Sequence, residues 1–230
     1  DNDTDRLFVT INPAVSGRTI EQLSKNNTQD SVNRYGRFLD GLQKVHAATN
    51  NESHVVDSIA WLQGEWNYKN QGGTYDKQSY ITKLNQLIAD MQKDTMSITK
   101  QKLPPAFFIY QTGASYTIDI DSGGNAGLHI GMAQLEIANA RNDTFMFSPV
   151  YAYTDKNGHL DSNGYRWLGN QLAKVYKHVV LDGKNWSPLQ PIRISQKERQ
   201  IRIDFYVPVP PIKKQPMYLA NAAIEYAALG

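Results

Sequence analysis

The sequence predicts an α/β fold, in which a parallel sheet is covered by helices on both faces, followed by a small β appendage. One observation indicates each part. Short apolar runs, rich in β-branched and aromatic residues, alternate with longer segments whose apolar residues recur at helical spacing. After Pro188 the pattern changes to a period of two, which is typical of an antiparallel hairpin. We therefore predict an α/β layer domain over residues 1–187 and the start of a small β appendage over residues 188–230.

Four apolar runs are predicted to be the strands of the parallel sheet. Pro104 and Pro105 stand at the start of the third run, and they keep a helix from entering it because the residue before a proline disfavours the α conformation. The four runs are 6–11 (RLFVTI), 54–62 (HVVDSIAWL), 105–112 (PAFFIYQT) and 143–151 (DTFMFSPVY).

Four other segments have helical periodicity. In residues 30–48 the apolar side chains recur three and four residues apart, which predicts one buried helix face. The remaining helices are predicted through 80–91, 126–141 and 163–179, and the last of them follows Asp-Ser-Asn, a typical N-cap sequence. Beyond Pro188, IRISQKERQIRIDFYVPV is predicted to form a hairpin around its polar turn.

The composition excludes several classes of function. The chain has 24 Lys and Arg against 22 Asp and Glu, a net charge of +2, without the positive stripe that a nucleic-acid backbone requires. It has no cysteine, which excludes a thiolate nucleophile and thiolate metal sites. No two histidines have metal-ligand spacing, and no apolar run is long enough for a membrane span. We expect no metal, no cofactor, no nucleic acid and no membrane span.

Polar residues follow three of the predicted strands at the end where ligands bind in open parallel sheets. The second strand ends on WLQGEW, which places Gln63, Gly64 and Glu65 in fixed order. The segment NPAVSGRTI after the first strand carries Gly17, and TDKNGHLDSNG after the last strand carries His159. We expect these segments to meet at one edge of the sheet and to form a site.

Two of these blocks, WLQGE and GHLDSNGYRWLG, together resemble the SGNH (GDSL-type) hydrolases, especially the sialate and carbohydrate O-acetylesterases with a Trp-x-Gln-Gly-Glu block. The resemblance covers the chain up to the predicted appendage, with the blocks in the family's order. It implies a flavodoxin-like three-layer parallel sheet, the SGNH hydrolase fold. It also implies a serine esterase that removes O-acetyl groups from a carbohydrate or a bacterial surface polysaccharide.

The resemblance implies roles for individual residues. His159 is the base that takes a proton from a serine hydroxyl. Gly17 and Gln63 line the oxyanion hole, which meets the negative charge that develops on the carbonyl oxygen. The family's acid usually lies three residues before the histidine, whereas Asp155 lies four before it. The identity of the acid therefore remains open: it is Asp155 or Asp161, or the site has no acid.

Two more residues of the Gln-Gly-Glu segment are assigned supporting roles. Glu65 cannot donate a hydrogen bond when ionised, so we expect it to orient neighbours such as the Gln63 loop or the serine turn. Trp66, beyond the glycine, is the better candidate to stack on a sugar ring, whereas Trp61 lies inside a strand and is expected in the core.

The nucleophile is the largest departure from the family. The family's serine ends a central strand ahead of the glycine block, in a Gly-Asp-Ser or Gly-Gln-Ser turn, and this sequence contains no such turn. Ser115 and Ser122 come too late in the order to meet the same base. Without the strand that carries this turn, the family's sheet would lack its middle strand. We therefore expect an upstream segment of the same polypeptide to supply that strand and its serine.

Two alternatives to an esterase are a non-catalytic glycan-binding module on a degenerate SGNH fold and a structural adaptor in a larger assembly. Neither alternative requires Gln63, Glu65 and His159, which could then be replaced by other residues. Their presence therefore favours the esterase. The β appendage resembles, in arrangement, that of esterase domains of phage tail proteins that deacetylate bacterial surface glycans. This likeness implies an O-acetylated glycan as partner, a homotrimer, and an extracellular or virion-associated location.

Overall fold

The computed structural model of the protein describes residues 8–49, 54–69, 73–113, 118–119, 125–153 and 158–210. Its strands are β1 (Ser58–Trp61), β2 (Ala106–Gln111), β3 (Ile118–Asp119), β4 (Asn125–Ala126), β5 (Thr144–Pro149), β6 (Gln190–Lys197) and β7 (Gln200–Tyr206). Its α-helices are α1 (Ile20–Leu23), α2 (Gly36–Ala48), α3 (Lys77–Thr99), α4 (His129–Ala140) and α5 (Ser162–Tyr176). A 3₁₀ helix covers Glu65–Lys69, and a π-helical turn, Lys177–Leu181, follows α5.

The central sheet is parallel and has the strand order β1-β2-β5. Ile59 pairs with Phe107 between β1 and β2, and Phe108 pairs with Phe145 between β2 and β5. These strands confirm three of the four predicted ones. Since all three run in the same direction, their carboxyl ends lie at one edge of the sheet.

Helices cover both faces of this sheet. Phe107 and Ile109 belong to a core that contains the buried faces of α2, α3 and α4. Phe108 and Tyr110, which point to the opposite face, belong to a second core with α5. The predicted three-layer α/β fold is therefore confirmed.

The longest helix, α3, illustrates how the sequence specifies its elements. The Asp76 side chain caps its first turn by accepting a hydrogen bond from the Ser79 backbone N–H at 2.8 Å. Its buried face is the predicted apolar stripe of Tyr80, Leu84, Leu87, Ile88 and Met91. The helix ends at Lys100, whose φ of 61° breaks the helical conformation.

The first predicted helix is shorter than expected, because α2 starts at Gly36 rather than at residue 30. The Asp30 side chain accepts a hydrogen bond from the Val32 backbone N–H at 3.0 Å, and the Asn33 side chain accepts one from the Gly36 N–H at 2.9 Å. Asp and Asn side chains that bond nearby backbone groups in this way compete with helix formation.

The predicted strand at residues 6–11 is wrong for residues 8–11, while residues 6 and 7 lie outside the described part. Phe8 and Val9 are 65% and 58% exposed, and no described strand pairs with this segment. This segment and β1 both line one groove. A strand exists only through pairing, so this apolar run stays outside the sheet.

The C-terminal hairpin is confirmed. β6 and β7 pair antiparallel, with Ile194 opposite Ile203, around the predicted polar turn. The domain boundary at residue 187 stays a prediction, and residues 211–230 lie outside the described residues. Within the described ranges, no helix is both long enough and apolar enough to cross a bilayer.

Candidate active site

Glu65 ties the carboxyl ends of β1 and β2 together. The Tyr110 hydroxyl lies 2.7 Å from both carboxylate oxygens and shares its single proton between them, and Oε1 also accepts a hydrogen bond of 2.8 Å from the Thr112 hydroxyl. Burial, reinforced by the charge of Glu65, raises the pKa of Tyr110 well above its usual range, so this phenol keeps its proton. These contacts are those of a positioning residue that orients two neighbouring strand ends.

Gln63 is buried, and both N–H groups of its side-chain amide are engaged. Nε2 donates to the Arg18 carbonyl at 3.1 Å and to Asn67 Oδ1 at 2.6 Å, while Oε1 accepts from the Tyr80 hydroxyl at 2.8 Å. A primary amide has only two N–H donors. The amide therefore anchors the loop at Gly17 and Arg18, and it would donate to an oxyanion only by exchanging one of these bonds.

Asn67 belongs to the same network and was not singled out from the sequence. It is 1% exposed, its Oδ1 accepts from the Ile20 backbone N–H at 3.0 Å, and its Nδ2 donates to the Thr74 carbonyl at 2.9 Å. Asn67 thus joins the Gln63 turn to the start of α1 and to the chain before α3. Asn67 reaches Gln63 from a short 3₁₀ helix, and such a helix leaves neither strand nor α-helix periodicity in the sequence.

Gly17 and Trp66 are neighbours at this edge. Gly17 has a φ of 61°, a left-handed conformation that costs other residues about 1–2 kcal/mol. A Cβ atom built there would lie 4.0 Å from the Trp66 ring, so the conformation requires glycine although space is available. Trp66 is partly buried, whereas Trp61 packs against the first core, as expected from its place in a strand.

His159 is exposed and lines the same groove as Gln63. Asp155, the first candidate for the acid, lies outside the described residues. Asp161, the other candidate, is the N-cap of α5, and its side chain accepts a hydrogen bond from the Gly164 backbone N–H at 2.7 Å. A capping bond already engages this carboxylate, and the identity of the acid stays a prediction.

One groove of about 1660 Å³ brings the predicted site residues together. Its lining includes Gly17, Gln63, Glu65, Trp66 and His159. A histidine, backbone N–H groups and a buried hydrogen-bond network at one strand edge are the parts that acyl transfer uses, apart from the nucleophile. Among the described residues, no group of three or more His, Asp or Glu is placed to hold a metal ion.

Gly64→Ala is expected to lower the free energy of unfolding by about 1–3 kcal/mol. A Cβ atom there would lie 2.9 Å from Thr112 Cγ2 and 3.1 Å from Gln134 Nε2, and Gln134 bonds the Gln63 carbonyl at 2.7 Å. Urea unfolding measures the change. The control is Gly169→Ala in α5. A Cβ atom built there would have no neighbour within 4 Å outside the backbone of its own helix, and alanine favours the helix by about 1 kcal/mol. Equal stability of both variants would contradict this account of the turn.

A comparison with known protein families finds one match that covers most of the chain. Residues 3–178 match the family described as "Carbohydrate esterase, sialic acid-specific acetylesterase". The matched range contains the Gly17 loop, the WLQGE turn and the His159 segment, and it ends before the hairpin. No curated protein matches the chain significantly. Because the match spans well over half of the sequence, the chain belongs to the sialic acid-specific acetylesterase family of carbohydrate esterases.

Proposed function

We propose that the protein removes O-acetyl groups from a carbohydrate by a serine–histidine mechanism, and that an upstream segment of the same polypeptide carries the serine. Family membership makes it a carbohydrate esterase. The serine–histidine mechanism and the upstream serine are supported by the groove beside β1, which has His159 and Gly17 among its lining residues.

The groove is lined by β1 and by helices of both layers. β1 is an edge strand in the order β1-β2-β5, so its outer edge has no partner among the described residues. The groove is lined by Phe38 and Leu42 of α2, which belong to one core, and by Leu168 and Leu172 of α5, which belong to the other. A slot that lies beside an edge strand and between both helical layers has the position of one more strand.

The size and lining of the groove also fit a polypeptide segment. Its volume of about 1660 Å³ exceeds the roughly 300–1,000 Å³ of pockets for small ligands. Its lining also includes Phe8 and Val9, an exposed apolar run that pairs with no described strand. A strand inserted beside β1 would pair with it, and it would cover an edge that proteins rarely leave open.

A parallel strand in this slot would end at the edge where Gly17 and His159 lie. A serine at its end would attack the acetyl carbonyl, and His159 would take the hydroxyl proton and return it to the leaving sugar oxygen. The Gly17 N–H would stabilise the oxyanion, and Gln63 would do so after exchanging one of its present bonds. Each such donor contributes about 2.7–4 kcal/mol to the transition state.

The test of this function is acetate release from an O-acetylated sialic acid by the full-length protein, with glycan binding measured on the same sample. Release of acetate supports the esterase. Binding without release would support the alternative, a non-catalytic glycan-binding module. The hydrogen bonds of the Gln63 amide favour this alternative, because a binding module does not require the amide to exchange them.

A further inference from the structure

The C-terminal hairpin has one strongly apolar face. Ile194 on β6 stands opposite Ile203 on β7, and Ile201 and Phe205 lie two residues before and after Ile203. Because successive side chains of a strand point to opposite faces, all four side chains share one face of the hairpin. Each of them is at least 45% exposed. The described residues therefore leave this apolar face open to solvent.

The opposite face of the hairpin is suited to solvent. Asp204 accepts hydrogen bonds from Arg193 Nε at 2.6 Å and from Arg202 Nε at 2.9 Å. Both arginines are exposed, so water solvates the remaining donors of their guanidinium groups. Only the apolar face calls for a partner, which means that the hairpin is amphipathic in the same way as a sheet that packs on one side.

A two-stranded hairpin is marginally stable by itself in water, and it gains stability when a helix or further strands pack against its apolar face. The α/β domain contacts the hairpin at its base, where the side chains of Gln190 and Asn139 exchange hydrogen bonds of 2.8 and 2.9 Å. The four apolar side chains remain exposed in spite of this contact. Their cover therefore has to come from another segment.

The sequence MYLANAAIEYAAL, residues 217–229, has the composition of such a cover and lies outside the described residues. It is rich in alanine and has one β-branched residue, Ile224, so its intrinsic preference is for a helix over a strand. Asn221 and Glu225 are four residues apart and would share one side of that helix. The residues of the opposite side are all apolar or aromatic: Leu219, Ala223, Tyr226 and Ala227.

The length of the segment and its distance along the chain fit this role. A helix over residues 217–229 would be about 20 Å long, and the eight residues of β6 span about 26 Å. Residues 207–216, which follow β7, can reach back over about 33 Å when extended. We propose that residues 217–229 pack as a helix on the apolar face of β6 and β7. This inference does not depend on the proposed esterase function.

Cross-linking tests the contact, because the 230 residues contain no cysteine that would compete. Ile203→Cys is combined with Ala223→Cys in the full-length protein, which is then treated with a short bismaleimide and mapped by peptide mass. Leu219→Cys and Ala227→Cys replace Ala223→Cys in two further proteins, to allow for a shift of one helical turn. The matched control carries Arg202→Cys, on the polar face of the same strand, instead of Ile203→Cys.

We expect a link within one chain between position 203 and at least one of the three helix positions. It should form about 10-fold or more faster than the corresponding link to position 202, because docking raises the effective concentration of the two thiols. Equal rates for positions 202 and 203 in all three combinations would overturn the proposal. A link between two chains at position 203 would also overturn it, and it would identify a second copy of the protein as the cover.

Hydrogen exchange provides a second test that leaves the hairpin sequence intact. Ala223→Lys places a charge at the centre of the proposed contact, so the backbone amides of β6 and β7 are expected to exchange about 10-fold or more faster than in the wild type. Asn221→Lys is the matched control on the polar side of the same segment, and its exchange is expected to equal that of the wild type. Equal exchange in the two variants would overturn the proposal.

Discussion

His159→Ala is expected to lower kcat/KM for an O-acetylated sugar by about 10²–10⁴-fold, the range that a general base contributes. His159 lines the groove beside the Gly17 loop, where a base is needed to take a proton from a serine hydroxyl. The side chain is exposed, so its removal costs little packing, and the melting temperature is expected to stay close to that of the wild type. Initial rates of acetate release measure the effect.

The control for this variant is His129→Ala. His129 is also exposed and stands at the start of α4, where its ring lies 5.4 Å from the Tyr75 ring, outside the groove lining. Its removal is expected to leave the rate unchanged. If both variants lost activity equally, or if neither did, His159 would not be the base.

Ala60→Glu is expected to lower the free energy of unfolding of the full-length protein by about 3 kcal/mol or more. Ala60 lies on β1 and is exposed, and its side chain lines the groove. A strand that fills the groove would bury Ala60 beside α5, so a glutamate there would become a buried carboxylate without a partner. Chemical unfolding measures the difference.

Ala173→Glu is the matched control, because Ala173 is exposed on α5 and lies outside the groove lining. A glutamate at such a surface position is expected to change stability by no more than about 0.5 kcal/mol. An equally small effect at Ala60 would mean that water fills the groove in the full-length protein. That result would reject the inserted strand.

Local sequence signals predicted the three paired strands, the helices α2 to α5, and the sheet edge at which the candidate site residues gather. The turn at Gln63 could be located because an apolar run that stops on Gln, Gly and Glu departs from the usual chemistry of a strand end. The cap at Asp161 was visible for a similar reason, since Asp-Ser-Asn precedes a periodic segment.

Features that depend on distant partners were not predictable. Residues 8–11 have the composition of a strand, but pairing requires a neighbour that their own sequence does not specify. The engagement of the Gln63 amide depends on Asn67 and Tyr80, which reach it from a 3₁₀ helix and from α3. A residue pattern indicates that a donor is present, whereas only the folded contacts show whether its hydrogen atoms are already used.

The central claim is that a serine upstream of residue 1 reacts at the edge beside His159. Labelling of the full-length protein with a fluorophosphonate, followed by peptide mapping, tests it most directly. We predict one labelled serine, N-terminal to residue 1, whose labelling slows strongly in His159→Ala. Labelling of Ser16, which also lines the groove, or of Ser115 or Ser122, or no labelling of an active protein, would contradict the account.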